Sequence, residues 1–407
     1  MSESRFGRAF PKLAWANLCA HCADQLALAA APLLAVIVFG AGVGVTGLLQ
    51  TAQLLPYLAF AIPLGVVADR MRKARLMAAA ELLRTVALVL IVLLVATQAL
   101  TLTLLGILGF LAASATVAYS VAAPALVPSL AQKDRLTAAN ARLELGRTVA
   151  FTAGPAAAGI AIDAFGGSTA FAFAAALSFV PVMLLISISE PDPMPHTRRS
   201  VLRDIQAGAA FVARHKLLRP VFLTQFVFGI AFALLYAAYI PFAVERLGLS
   251  AAGVGGTLAT YGIGMVAGAL CADWISRNVS FGVVISIGPL CGFIASLVMV
   301  LTIWFPSGEL AATGFFILGA GPILWTIGTA TLRQTVTPAE LLARVSAVHL
   351  LAYGSRPLGA ALAAIVGAVY GAEACIYAAS AGFLLQAAIM LSSPVVRLTK
   401  LVEEKAV

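Results

Sequence analysis

Few residues in this chain could do chemistry in an apolar medium, and each stands out against its surroundings. Asp24 lies about twelve residues into an apolar run, about 18 Å along a helix rising 1.5 Å per residue. An ionisable group at that depth persists where it faces a cavity or a partner. A carboxylate there can alternate between protonated and charged forms, so Asp24 is the leading candidate for proton coupling. The other reading is an aspartate tied to a helix end or to a polar neighbour such as Gln25 or Gln53. Glu81 and Arg84 stand at i and i+3, the spacing of a helical ion pair, and read first as structural. Arg142, Glu144 and Arg147 open a later apolar run. Snorkelling to the interface accounts for Arg142, while Arg147 is deeper and is a candidate for substrate contact or charge pairing. Arg356 sits a little over three turns into the eleventh apolar run, beyond easy snorkelling, and is expected to point inward, toward an anionic substrate group or a carboxylate. His349, two turns earlier, either titrates in the physiological range or serves as a hydrogen-bonded core histidine. Asn17, Gln50, Gln53, Tyr57, Gln225, Tyr236, Tyr239, Tyr261 and Trp325 are candidate cavity-lining residues.

The elements that must hold these groups follow from composition. Of the 407 residues, 61% are hydrophobic and 11% charged, against about 25% charged in soluble domains. Residues 85–132, 220–244, 247–272, 279–308, 310–332 and 374–396 contain no Asp, Glu, Lys or Arg. A bilayer asks for about 20 apolar residues per spanning helix, and open backbone cannot cross lipid, so these runs predict helices. Cutting at the turns gives spans near 13–38, 47–68, 76–97, 101–124, 138–162 and 167–189. A second set follows at 220–244, 250–272, 281–303, 309–332, 343–370 and 373–391. The fold class is therefore an all-α polytopic membrane protein with twelve transmembrane helices.

The net charge of +9 is a topology signal and not a nucleic-acid patch. Every second connection is basic: Arg5, Arg8 and Lys12 precede the first span, Arg70, Arg72, Lys73 and Arg75 follow the second, and Lys133 and Arg135 follow the fourth. The central segment adds Arg198, Arg199, Arg203, Arg214, Lys216 and Arg219, and the other side carries Arg246. The positive-inside rule puts both termini and the central loop in the cytoplasm, with the protein in the cell inner membrane. The N-terminus imitates a secretory signal, but its apolar run continues to Phe39 and is interrupted by Asp24, so an uncleaved first helix is expected. The five cysteines, Cys19, Cys22, Cys271, Cys291 and Cys375, fall inside spans and read as packing residues. Cys19, His21 and Cys22 cannot by themselves complete a tetrahedral metal shell, so no metal and no cofactor are expected.

The chain repeats itself at about half its length. Gly65-Val66-Val67-Ala68-Asp69-Arg70 ends the second span as Ala269-Leu270-Cys271-Ala272-Asp273-Trp274 ends the eighth. Ala141-Arg142 and Gly154-Pro155 of the fifth span correspond to Ala343-Arg344 and Arg356-Pro357 of the eleventh. Two pseudo-symmetric six-helix bundles follow, 1–189 and 220–407, joined by a cytoplasmic linker at 190–219. Around Leu202 to Arg214 the linker has amphipathic helical spacing, suited to the membrane surface.

Two motifs carry a resemblance. Gly65 to Arg75, GVVADRMRKAR, places a glycine at a close helix contact, then a carboxylate, then cations in a tight loop. It resembles motif A of the major facilitator superfamily at Gly65, Asp69, Arg70, Arg72 and Lys73. The resemblance implies that Asp69 and Arg70 tie helices together across the cytoplasmic face and stabilise an outward-open state. Asp69 would accept hydrogen bonds at the N-terminus of the eleventh helix, near Leu341 to Ala343. A solvated basic loop accounts for the cations but not for Asp69. Gly146 to Gly159, GRTVAFTAGPAAAG, resembles motif C, which marks antiporters of the family, at Gly146, Gly154, Pro155 and Gly159, with its usual paired glycines reduced to one. The stretches LVPSLAQKDRLTAANARL and AHCADQLAL are similar to the drug and siderophore exporter branch. One departure stands out: many proton-coupled antiporters carry a buried arginine in the fourth helix, and residues 101–124 hold no charge.

The resemblance implies a monomeric secondary transporter that exports small amphipathic or hydrophobic molecules against protons by rocking two halves around a central site. An importer, facilitator or lysolipid flippase on the same fold, or a non-transporting membrane sensor, are the other readings. No Walker lysine motif and no long loop for a catalytic domain are found, so an enzyme is not expected.

Overall fold

The computed structural model describes residues 9–130, 132, 136–190 and 201–399. Over these the chain is helical, with no strand: α1 (Phe10–Phe39), α2 (Val43–Arg70), α3 (Lys73–Ala96), α4 (Leu102–Leu130), α5 (Leu136–Phe165), α6 (Thr169–Ile186), α7 (Val201–Arg214), α8 (Leu218–Glu245), α9 (Ala251–Asn278), α10 (Phe281–Trp304), α11 (Gly308–Val336), α12 (Ala339–Ala352) and α13 (Arg356–Leu391). A 3-10 turn at Tyr353–Ser355 joins α12 to α13. Eleven of the helices are long and apolar enough to cross a membrane. Large apolar side chains such as Leu83, Ile107, Phe173 and Ile365 point outward, as lipid-facing helices require.

The twelfth crossing is concealed in α13. Gly371 interrupts it with φ 79° and ψ −175°, a conformation open essentially to glycine alone. Cys375 Sγ then lies 3.8 Å from the carbonyl oxygen of Ala363. Twelve residues along a straight helix would separate them by about 18 Å, so the chain folds back at Gly371. The eleventh crossing is thus built from α12, the 3-10 turn and the first part of α13. This changes the setting of Arg356. It is not deep within one continuous helix but is the first residue of α13, immediately after the break.

The described residues form two compact units. The first takes 9–41, 48–190 and 249–259. Within it α1 packs on α5 and α6, and α3 packs on α4 and α6. Small residues set these contacts: a Cβ on Gly154 of α5 would stand 2.5 Å from Gln25 Cβ of α1, and one on Gly159 would run into the Ala251 carbonyl. Asp163, one turn beyond Gly159, accepts hydrogen bonds from the backbone N–H groups of Ala251 (3.1 Å) and Ala252 (2.8 Å), the first two residues of α9. The second unit takes 42–47, 201–248 and 260–399. Its main packing pairs are α8 with α13 and α10 with α11.

Helix α7 belongs to the second unit and does not lie apart as a surface helix. Val212 is buried with Leu218, Val345 and Val348, and Gly208 lies so close to Arg344 that a Cβ would meet its carbonyl oxygen at 2.6 Å. The apolar face expected at the membrane surface is used on α12, because Gly208 allows the two helices to approach closely.

Candidate functional site

The buried charges of the first unit converge. Arg84 on α3 is 2% exposed and Glu81, one turn before it, is fully buried; their side chains pair at 2.9 Å. Arg84 Nη1 also donates to the Ala20 carbonyl at 2.9 Å, and Nη2 donates to Thr116 Oγ1 on α4 at 2.7 Å. Thr116 Oγ1 donates to Asp24 Oδ1 on α1 at 2.6 Å. The second Asp24 oxygen accepts from Gln25 Nε2 at 3.2 Å. Ser178 on α6 donates to Glu81 Oε2 at 2.8 Å. Four helices therefore meet in one chain of hydrogen bonds: Ser178, Glu81, Arg84, Thr116, Asp24, Gln25.

Asp24 is hydrogen-bonded to its polar neighbour Gln25, and it also joins an inter-helix charge network. Gln25 is the side chain that the absent Cβ of Gly154 leaves room for, so the motif C glycine helps to place the amide that holds Asp24. The fourth helix carries no cation of its own, yet a guanidinium reaches it from α3. With two carboxylates and one guanidinium the cluster, when fully ionised, carries one negative charge more than positive. An unbalanced charge in a low-dielectric setting is costly, and a proton can remove it. His21 lies within electrostatic reach of Asp24, Arg84, Glu144 and Arg147, and its ring meets Tyr119 edge-on at 6.1 Å.

A cavity opens beside the cluster, lined by Asp24, Arg84 and Gln53 among apolar residues that include Leu28, Leu88, Leu105 and Phe171. Water centres can occupy about 30 Å³ of it, room for about two molecules. Arg84 Nε and Gln53 Oε1 make no protein hydrogen bond among the described residues.

The other candidates are distributed around this cluster. Arg147 pairs with Glu144 through its Nε at 3.0 and 3.1 Å, and both side chains are about half exposed, so it is a charge pair near the surface. Asn17 ties α1 to α5 by donating to the Leu143 carbonyl at 2.9 Å. In the second unit Arg356 stacks over the Phe232 ring at 5.4 Å, beside an aromatic group in which Phe232 also meets Tyr236 and Tyr261. His349 is buried, with Nδ1 3.0 Å from Gln225 Oε1 and its ring edge-on to Phe222. Tyr239 is fully buried against Phe315. Gly65 is loosely packed against Val121, and Arg70 closes α2, where a cation suits the helix dipole. Lys73 pairs with Glu190 at 3.6 Å, and Glu190 accepts from the Ala74 N–H at 3.0 Å, capping α3. The side chains of Asp69 and Ala343 lie outside the described residues.

Thr116, Ser178, Asp163 and Glu190 were not singled out in the sequence. Asp163 and Glu190 cap the starts of α9 and α3, helices far from them in sequence, so nothing in their local pattern pointed to these partners.

The family model of the Major Facilitator Superfamily matches residues 13–363, most of the chain. The chain belongs to the major facilitator superfamily. Among curated proteins it is similar to the enterobactin exporter EntS of Escherichia coli O1:K1 / APEC and of Shigella boydii serotype 18, in each case 26% identical over 287 residues, or 70% of this chain. It spans 66% of the length of those relatives. Among solved structures it resembles a bacterial homologue of the human lysosomal transporter Spinster in an inward-facing, unoccupied conformation. That match has TM-score 0.73 and 13% identity, covering 96% of this chain and 98% of that one. The nucleoside transporter NupG matches with TM-score 0.70 and 13% identity, covering 95% and 98%. At such identities the likeness shows the major facilitator fold, in keeping with the eleven helices long and apolar enough to cross a membrane.

Proposed function

We propose that this major facilitator protein is a proton-coupled exporter of small amphipathic or hydrophobic molecules, working as a monomer in the cell inner membrane with both termini cytoplasmic. The observation that carries the reading is the Asp24 cluster: the buried Glu81 pairs directly with the one guanidinium of Arg84, and the half-buried Asp24, which faces the cavity, connects to it through Thr116, so a proton on Asp24 balances the charge. The motif C glycines at Gly154 and Gly159 and the similarity to enterobactin exporters support export and exchange. The basic connections support the orientation.

The test is flux in liposomes under a pH gradient of either sign, with a panel of lipophilic cations, antibiotics, siderophores and lysolipids, comparing wild type with Asp24→Asn. Gradient-driven flux that disappears in Asp24→Asn supports the proton exporter. Flux indifferent to both gradient and substitution overturns the coupling and favours a facilitator or lipid transporter.

A further inference from the structure

Thr116 occupies an unusual position for a threonine in an apolar helix. The residue is 3% exposed and its hydroxyl has three polar neighbours: Asp24 Oδ1 at 2.6 Å, Arg84 Nη2 at 2.7 Å, and the carbonyl oxygen of Ala112, one turn back on α4, at 3.3 Å. A hydroxyl has one proton and two lone pairs. Arg84 is always a donor, so it occupies one lone pair. The proton and the other lone pair remain, with two acceptors within reach of the proton.

We infer that Thr116 is the positioning residue of the coupling site, a two-position hydroxyl that keeps Asp24 hydrogen-bonded in both protonation states while Arg84 stays in place. With Asp24 ionised, the Thr116 proton goes to Asp24 Oδ1. When Asp24 takes up a proton, its new O–H donates to the free lone pair of Thr116 Oγ1, and the Thr116 proton turns to the Ala112 carbonyl. Thr116 Oγ1 and Asp24 Oδ1 stay hydrogen-bonded to each other in both states, and the Arg84–Thr116 bond persists through the change. A site that lost a hydrogen bond on each cycle would be left with an unsatisfied polar group each time; this arrangement avoids that loss by rotating one bond.

The groups near Asp24 that carry charge or titrate are His21 on its own helix and Glu81 and Arg84 on α3; Glu144 and Arg147 on α5 act on His21, and Tyr119 on α4 lies against Glu81 and Arg84. The polar residues that α2 and α6 bring to the cluster, Gln53 and Ser178, do not titrate. Thr116→Val removes the hydroxyl at nearly constant volume and leaves all of these groups in place.

The inference rests on Asp24 being the coupling carboxylate, and the experiment separates the two. Difference infrared spectra of the full-length protein in liposomes are recorded against pH with no added substrate, and the Asp24 carboxyl band is identified by its loss in Asp24→Asn. In Thr116→Val the proton affinity of Asp24 is expected to change about tenfold, one charged-group hydrogen bond, and its protonated C=O band to shift. Thr116→Ser restores both, and Thr116→Ala reproduces the valine result if valine folds poorly. A titration in Thr116→Val and Thr116→Ala that matches wild type overturns the role of Thr116 while leaving proton coupling standing. Absence of any Asp24 band between about pH 4 and 9 overturns both.

Discussion

Arg84 and Glu81 form an ion pair at 2.9 Å with both side chains essentially removed from solvent, and Arg84 alone connects that pair to Thr116. Removing the cation would strand a buried carboxylate. Arg84→Ala is expected to destabilise the protein by about 3–5 kcal/mol, read as a fall in the unfolding midpoint in detergent. Replacing both partners, Arg84→Met with Glu81→Leu, is expected to recover much of that stability while gradient-driven transport stays absent. A double variant that is stable and still coupled would show that the pair is scaffold only.

Arg147 and Glu144 offer the contrast. The same i,i+3 geometry occurs with half-exposed side chains, so solvent screens it. Arg147→Ala is expected to change stability by less than about 1 kcal/mol and to leave transport near wild type in the liposome assay.

The motif C glycines divide by their surroundings. A Cβ on Gly146 would meet Asn17 Nδ2 at 3.5 Å, an ordinary contact, whereas one on Gly154 would meet Gln25 Cβ at 2.5 Å and one on Gly159 would collide with backbone. Gly146→Ala is expected to be neutral or mildly stabilising, by up to about 1 kcal/mol from helix propensity. Gly154→Ala and Gly159→Ala are expected to cost about 1–3 kcal/mol each, seen as reduced monodisperse yield and melting point.

Asp163 holds the first two N–H groups of α9. Asp163→Ala is expected to cost about 1 kcal/mol, while Asp163→Asn, which keeps an acceptor, retains most of it. Hydrogen exchange at Ala251 and Ala252 reports the loss directly: faster in the alanine variant, near wild type in the asparagine variant.

How far the molecule could be read in advance depended on which physics was local. Spanning helices announce themselves because lipid demands long uncharged runs, and the return of the chain between the last two crossings was legible as the cut between the spans 343–370 and 373–391. The break at Tyr353–Ser355 was missed although it carried a signal, Gly354 within the turn and Pro357 at the start of the next helix, the punctuation of a helix that stops and restarts. Asp24 was legible as a lone carboxylate in an apolar run, and Glu81 with Arg84 as a helical pair. Their meeting was not legible, because it passes through Thr116. A threonine in a membrane helix ordinarily satisfies itself on the carbonyl four residues back, so nothing in its spacing marks a bridge to two other helices. Arg356 was legible as a cation well along the eleventh crossing, but its seat on the Phe232 ring, just after the break, was not.

The reversal at Gly371 is a single residue with no loop to either side. Two consecutive crossings of the bilayer therefore offer almost no chain at that face for a protease to cut or an antibody to grasp. An epitope tag inserted there would have to pull apart the Cys375–Ala363 contact, which makes this turn a poor choice for labelling and a good internal control for any accessibility map.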